Sequence, residues 1–171
     1  MPKIVILRGN SGSGKSTVAG MLQAKLGRGT LLISQDYVRR ELLYVRGGPD
    51  RNSIDLLQNL VLFGKEKCDF IILEGILYQD DHEHLFRQIK EWFEEDIFAY
   101  YFDLSFAETL ERHKTKPVAA EFGEAEMKSW WREKDFIPFI DEKMIDESMS
   151  VGRIVDMIFS HLENDVAEAA T

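Results

Sequence analysis

Residues 9–17 read Gly9-Asn10-Ser11-Gly12-Ser13-Gly14-Lys15-Ser16-Thr17 and match the pattern G-x-x-x-x-G-K-[ST]. Glycines in such a loop let successive backbone N–H groups point inward, and the helix that follows directs its positive dipole end to the same place. Lys15 is predicted to reach the β- and γ-phosphates of a nucleotide, and the Ser16 hydroxyl to ligate Mg²⁺. The stretch therefore predicts a site for ATP and Mg²⁺ formed by residues 9–17.

The residues on either side of this loop support the interpretation. An apolar run at residues 4–7 is typical of a buried strand, and apolar side chains recur at helical spacing after the loop, at Val18, Met21 and Leu22. A dinucleotide-binding loop is excluded because it has a different glycine spacing and is not followed by a Lys-Ser pair.

Length and charge restrict the remaining possibilities. The chain has 171 residues, of which 44% are hydrophobic, and this suits one domain. We expect that domain to span residues 1–165, with a flexible tail at 166–171. Because 21 Lys and Arg residues face 30 Asp and Glu residues, the net charge of −9 argues against general binding to nucleic acid or anionic membranes. A small-molecule ligand is expected, and the oligomeric state is left open.

Three further features favour a cytoplasmic protein. No apolar stretch is long enough to span a bilayer, and the single cysteine has no internal disulfide partner. The first strand begins by Lys3, which leaves no room for a signal peptide before it.

Strand and helix patterns alternate along the chain. Strands are expected at residues 3–8, 30–34, 69–73, 97–102 and 143–145, with helical repeats between them. This order predicts a three-layer α/β fold, a parallel sheet with helices on both faces. Two helix starts carry a capping pattern, Ser105 with Glu108 and Asp80 with Glu83.

Asp36 follows the second predicted strand. Ligands of open parallel sheets bind beyond the carboxyl ends of the strands, so this carboxylate should face the same crevice as Lys15. It is then a candidate base for the hydroxyl proton of a phosphate acceptor, and Arg39, one helical turn on, could bind that acceptor. The alternative is that Asp36 only caps the following helix. Arg40 is interpreted as a solvated surface charge.

Glu74 and Gly75 end the third predicted strand. A carboxylate at this position can ligate Mg²⁺ or hold a metal-bound water, and Gly75 permits a close backbone approach. The pair could equally contact the acceptor, and a purely structural Glu74 is the other interpretation.

Residues 114–134 contain few strand-like runs and include Pro117 and Gly123, so we expect them to leave the sheet as a lid. Arg112, just before this segment, is the first candidate for neutralising charge on the transferred phosphate, and Lys116 and Arg132 follow. Ordinary surface charge is the alternative for all three. Trp130 and Trp131 are predicted to pack the segment onto the body.

These motifs together resemble those of the small P-loop kinases, which include nucleotide, gluconate, shikimate and adenylylsulfate kinases. This resemblance covers nearly the whole chain. The Asp36-x-x-Arg39 pattern is most similar to that of polynucleotide 5′-hydroxyl kinase, zeta-type toxins and chloramphenicol phosphotransferase. The resemblance implies strand order 2-3-1-4-5, Asp36 as base, Arg39 as acceptor ligand, and a lid that closes over ATP with arginines. Lys116 stands where several relatives carry Arg.

The function expected from these residues is an ATP- and Mg²⁺-dependent kinase that acts on a hydroxyl of a small molecule such as a nucleoside, sugar or antibiotic. Polynucleotide or zeta-toxin-like kinases are the alternatives within this class. A guanine-nucleotide switch would carry an Asn/Thr-Lys-x-Asp motif, which is not found in a suitable place. A P-loop ATPase or nucleotide-binding regulator without an acceptor is the rival from another class, and a candidate base at Asp36 argues against it.

Overall fold

The computed structural model describes residues 1–46 and 50–169. Five parallel strands form one sheet in the order β2-β3-β1-β4-β5, as the resemblance implied. The strands are β1 (Lys3–Gly9), β2 (Leu31–Ser34), β3 (Phe70–Gly75), β4 (Ile97–Phe102) and β5 (Glu142–Ile145). Their bounds differ from the predicted ones by no more than two residues at either end.

Helices cover both faces of the sheet, which confirms the three-layer α/β class. They are α1 (Lys15–Leu26), α2 (Gln35–Tyr37), α3 (Arg51–Lys67), α4 (Glu83–Phe93), α5 (Phe106–Lys114), α6 (Glu124–Trp130) and α7 (Val151–Ala169). A π-helical turn at Val38–Leu42 continues α2, and a 3₁₀ turn at Pro117–Ala120 precedes α6.

The central strand β1 separates two apolar cores. Ile4 and Ile6 lie in the core that packs against α3 and α4, whereas Val5 and Leu7 lie in the core that packs against α1 and α7. Successive side chains of a strand point to opposite faces, so a strand that packs against an apolar core on both faces has consecutive apolar residues. This is the physical reason why residues 4–7 form an unbroken apolar run.

Helix α3 lies against the sheet at a glycine. A Cβ atom on Gly64 would be 2.6 Å from Ile71 Cγ1 and 2.8 Å from Leu31 Cδ2. Gly64→Ala is therefore expected to lower the free energy of unfolding by about 1–3 kcal/mol, the usual cost of overpacking a core.

Gly20 in α1 provides the matched control. No atom lies within 4 Å of its position for a Cβ, so Gly20→Ala is expected to raise stability by about 0.5–1 kcal/mol through helix propensity alone. Urea denaturation of both variants measures the difference. Equal stability changes at the two glycines would show that α3 moves away from the sheet without cost.

The two capping patterns have different outcomes. Ser105 caps α5 as predicted, since its hydroxyl accepts a hydrogen bond from the Glu108 amide at 3.2 Å. The prediction for Asp80 is wrong: a turn intervenes, α4 begins at Glu83, and the Asp80 carboxylate instead accepts a hydrogen bond from Arg132.

The structure bears on the expected flexible tail and on the expected absence of a membrane span. Helix α7 continues to Ala169, so residues 166–169 of the expected tail have helical backbone, while 170–171 lie outside the described residues. Within the ranges 1–46 and 50–169, no helix combines the length and apolarity needed to cross a bilayer.

Candidate active site

The predicted phosphate-binding loop, residues 9–17, is called the P-loop below, and it connects β1 to α1 as expected. Gly12 and Gly14 have φ angles of +78° and +96°, which favour glycine. Space is also restricted, because a Cβ atom on Gly12 would be 2.6 Å from the Thr109 carbonyl oxygen. Sequence and fold therefore agree that side chains are excluded here so that the backbone N–H groups remain accessible to an anion.

Lys15 is enclosed by this loop. The residue is only 6% exposed. Its Nζ donates to the Asn10 carbonyl oxygen at 2.8 Å and to Ser13 Oγ at 3.1 Å. Burial lowers the pKa of Lys15 to about 8, although the carboxylates of Glu74 and Asp36 act in the opposite direction. The ammonium group is thus held by the acceptors of the loop, in the place where a polyphosphate would give it stronger partners.

From this pKa we predict that the affinity of the P-loop for a nucleotide depends on pH. Phosphates favour the charged form of Lys15 and should raise its pKa, so binding is expected to take up a proton between about pH 8 and pH 10. The dissociation constant of a Mg²⁺ complex of a non-hydrolysable ATP analogue should then increase towards about tenfold per pH unit above pH 8. Calorimetry in two buffers of different ionisation enthalpy measures the proton uptake.

Lys15→Arg is the control, because a guanidinium stays charged over this range. Its nucleotide affinity is expected to change little between pH 7 and pH 10. Equal pH dependence in the two proteins would assign the titration to another group.

Ser16 and Glu74 meet beside Lys15. The Ser16 hydroxyl donates to Glu74 Oε1 at 3.1 Å, and Glu74 is buried at the end of β3. A hydroxyl and a carboxylate are hard oxygen ligands of the kind that Mg²⁺ accepts, with phosphate and water completing its shell. No group of three or more His, Cys, Asp or Glu residues in the described ranges is arranged to hold a metal ion.

Gly75 has a structural role. A Cβ atom there would be 2.5 Å from Gln35 Oε1, and this buried amide oxygen accepts a hydrogen bond from the Leu77 amide at 3.1 Å. The close approach predicted at Gly75 is therefore made by Gln35. It fixes the start of the acceptor loop, the name used below for residues 76–82 between β3 and α4.

Asp36 lies in a cavity of about 740 Å³ at the carboxyl ends of β2 and β3. The capping interpretation of this residue is wrong, because the residue that caps α2 is Ser34. The cavity is lined by residues from the P-loop, from α2 and its π-helical turn, from α3, from the acceptor loop and from α6, including Ser11, Asp36, Arg39, Asp81, Glu126 and Trp130. Asp36 and Arg39 thus share one cavity, and this cavity reaches the P-loop.

Arg112 contacts the P-loop directly. Its Nη1 donates to the Ser13 carbonyl oxygen at 3.2 Å, and its Nε donates to Glu108 Oε1 at 2.7 Å. Lys116 interacts electrostatically with Lys15, Glu74 and Arg112. Burial lowers the pKa of Lys116, and the Glu74 carboxylate partly offsets this effect. Two of the three predicted cations are therefore beside the loop.

Arg132 is placed differently from the prediction. Its guanidinium lies 3.9 Å from the centre of the Tyr78 ring and pairs with Asp80. Both of these partners belong to the acceptor loop, so Arg132 binds that loop. Arg40 is exposed, as predicted for a solvated surface charge, and its guanidinium pairs with the exposed Glu121 on the wall of the cavity.

The segment 114–134 packs closely onto the body. Met127 of α6 is buried, and its Cε would be 3.1 Å from a Cβ on Gly12 of the P-loop. Trp131 packs edge-on against Phe106 with ring centres 5.2 Å apart, as predicted, whereas Trp130 is half-exposed and lines the cavity.

Comparison with known families adds an independent observation. The model of a family described as AAA domain matches residues 4–135, which is most of the chain. The chain belongs to this family. No curated protein matches the sequence.

Several kinases are among the solved structures whose folds are similar to that of this AAA domain. Similar structures are the APS kinase from Mycobacterium tuberculosis in complex with AMPPNP and APS (22% identity, 95% of this chain and 98% of that chain, TM-score 0.67) and a gluconokinase from Sinorhizobium meliloti (13%, 99% and 98%, 0.64). A tunicamycin resistance protein from Deinococcus radiodurans is also similar (16%, 95% and 96%, 0.64). The resemblance to small P-loop kinases is confirmed for the fold.

One buried ion-pair network of this AAA domain was not predicted from the sequence. Arg8 in β1 is fully buried, and it pairs with Asp135 at 2.9 Å and with Glu142 at 2.9 Å while donating to the Leu77 carbonyl oxygen. Burial raises the pKa of Glu142, and the Arg8 guanidinium opposes this shift. The signal in the sequence is an arginine at the end of an apolar strand, since a buried charge requires partners.

Proposed function

We propose that this protein is an ATP- and Mg²⁺-dependent kinase that transfers the γ-phosphate of ATP to a hydroxyl group of a small molecule. The observation that carries the proposal is the position of Asp36, whose carboxylate lines a cavity that includes Ser11 of the P-loop. A protein that only binds nucleotide needs no carboxylate beyond the one that holds Mg²⁺, whereas transfer to an alcohol needs a group that accepts the hydroxyl proton.

The proposed roles follow from the positions of the side chains. Asp36 accepts the proton as the hydroxyl oxygen bonds to the γ-phosphorus and the bond to the β,γ-bridging oxygen breaks, releasing ADP. Lys15, Arg112 and Lys116 supply positive charge where negative charge develops. Mg²⁺, held through Ser16 and Glu74, would neutralise phosphate charge.

Residues 114–134 are proposed to act as a lid over this cavity. Phe122, Glu126 and Trp130 form its wall on that side, and the Arg40–Glu121 ion pair crosses from the π-helical turn to the lid. Closing an active site in this way limits access of water, which would otherwise compete with the acceptor for the phosphate.

The cavity also favours a class of acceptor. Its volume of about 740 Å³ is in the range of small-molecule sites, which supports a small acceptor over a polynucleotide. Its described walls carry five carboxylates (Asp36, Asp50, Asp81, Glu121 and Glu126) and three guanidinium groups (Arg39, Arg40 and Arg46). This balance favours a neutral or cationic acceptor over a phosphorylated one.

A panel of hydroxyl-bearing nucleosides, sugars and antibiotics tests the proposal, with ADP release above the ATPase background as the readout and ³¹P NMR to identify the product. Each neutral compound should be paired with its phosphorylated form. A protein that binds ATP but shows no acceptor-dependent ADP release with any compound would favour the nucleotide-binding or ATPase alternative.

A further inference from the structure

Asn10 makes a contact that the phosphate-binding pattern does not require. Asn10 is only 7% exposed, and its Nδ2 donates to the Arg132 carbonyl oxygen at 2.7 Å. In return, the Arg132 amide donates to Asn10 Oδ1 at 3.0 Å. One side-chain amide thus binds both backbone polar groups of a residue 122 positions away.

The segment it binds is also attached to the acceptor loop. We use the name strap for residues 130–135. The Tyr78 hydroxyl donates to the Trp130 carbonyl oxygen, the Arg132 guanidinium lies over the Tyr78 ring, and Asp135 Oδ2 accepts from the Gln79 amide at 2.8 Å. Three residues of the strap therefore contact the acceptor loop, and the strap also contacts the P-loop through Asn10.

The same residue also contacts the group that meets the nucleotide. The Asn10 carbonyl oxygen accepts the hydrogen bond from Lys15 Nζ, so the backbone of residue 10 and the position of the ammonium group depend on each other. A phosphate that draws the ammonium group towards itself acts on the Asn10 peptide, and the Asn10 side chain transmits any shift to Arg132.

We propose that Asn10 is a positioning residue that couples nucleotide binding in the P-loop to the acceptor loop through the strap. The acceptor loop supplies Tyr78, Asp81 and His82 to the cavity wall. Bound nucleotide thereby orders the wall against which the acceptor binds. The inference rests on the proposed function only in requiring that the P-loop bind a nucleotide, and it holds whichever acceptor is used.

Hydrogen exchange measured by mass spectrometry tests this coupling, with the Mg²⁺ complex of AMPPNP as the probe. In the wild type, the probe is expected to slow amide exchange in residues 9–17, in the strap and in the acceptor loop. In Asn10→Ala the slowing at 9–17 should remain, because alanine keeps the carbonyl group that accepts from Lys15. The slowing in the acceptor loop should fall by about fivefold or more, the lower range of coupling between sites.

Two further variants sharpen the result. Asn59→Ala is the matched control and should behave as wild type, since the Asn59 side chain donates to the Asp55 carbonyl oxygen within its own helix. Arg132→Ala keeps the backbone groups that bind Asn10 but removes the contacts with Tyr78 and Asp80, so it should lose part of the slowing in the acceptor loop. The double variant should lose no more than Asn10→Ala alone, because the two contacts act in series.

The outcomes are distinct. Full slowing of the acceptor loop in Asn10→Ala, or additive losses in the double variant, would overturn the coupling. A parallel loss of slowing at residues 9–17 would also overturn it, because Asn10 would then serve the P-loop alone. A wild type without slowing at 9–17 would overturn the proposed nucleotide site, a failure that no change confined to the acceptor loop can imitate.

Discussion

Asp36→Asn is expected to slow phosphate transfer to the acceptor by about 10²–10⁴-fold, the usual contribution of a general base. Asparagine has nearly the same shape but does not accept the hydroxyl proton. Because Asp36 lies on the cavity side of the site and Ser34 caps α2, neither the fold nor the nucleotide contacts should change. The rate constant at saturating ATP and acceptor, together with the dissociation constant of AMPPNP, measures both parts of the expectation.

Asp81→Asn is the matched control for this result. Asp81 is a second carboxylate on the wall of the same cavity, so its replacement changes the local charge equally. It is expected to affect acceptor binding more than the maximal rate. A larger loss of rate in Asp81→Asn than in Asp36→Asn would show that the base has been assigned to the wrong carboxylate.

Lys15→Met should lower the rate of phosphate transfer by about 10²–10³-fold, as when one preorganised charge-stabilising donor is removed elsewhere. The same change should not destabilise the protein. The pKa of Lys15 is about 8 in the folded state against 10.5 when free, so at pH 7 folding must keep a disfavoured charge buried, at a cost of up to about 3 kcal/mol. Methionine removes that cost and retains most of the side-chain volume.

The sign of the pH dependence provides the check. Between about pH 8 and pH 10.5 the unfolded chain binds the Lys15 proton and the folded protein does not, so the wild type gains stability from this residue as the pH rises. The stability advantage of Lys15→Met should therefore be largest at pH 7 and disappear towards pH 10.5. Urea denaturation at both pH values measures it, and a variant less stable than wild type at pH 7 would contradict the burial cost.

Much of the fold could be predicted because its signals are local. The unbroken apolar run at residues 4–7, the glycines of the P-loop and the helical repeat that starts at Val18 lie within one continuous segment. The sheet order came from resemblance, and the cap at Ser105 follows from two residues three positions apart. In each case the residues that interact are close in sequence.

The acceptor side could be predicted only in part because its contacts are long-range. Arg132 was expected near phosphate as a lid cation, but Tyr78 and Asp80, more than 50 positions earlier, bind its guanidinium. Gly75 was expected to admit a ligand, and Gln35 fills that space instead. Spacing along the chain does not reveal which of several charged groups will meet across a cavity.

The buried Arg8 makes the stability of β1 depend on a residue near the far end of the chain. Its carboxylate partner Glu142 lies 134 positions later, beyond residue 135, where the match to the AAA domain family ends. A nascent chain that has left the ribosome only as far as residue 135 has the P-loop and four of the five strands, but the guanidinium in β1 lacks its most buried partner. Because a buried charge that lacks part of its pairing is costly, we expect β1 to reach its full stability in the sheet only after β5 has been synthesised and has emerged. We therefore expect the first strand to become fully stable only when the last sixth of the sequence is present.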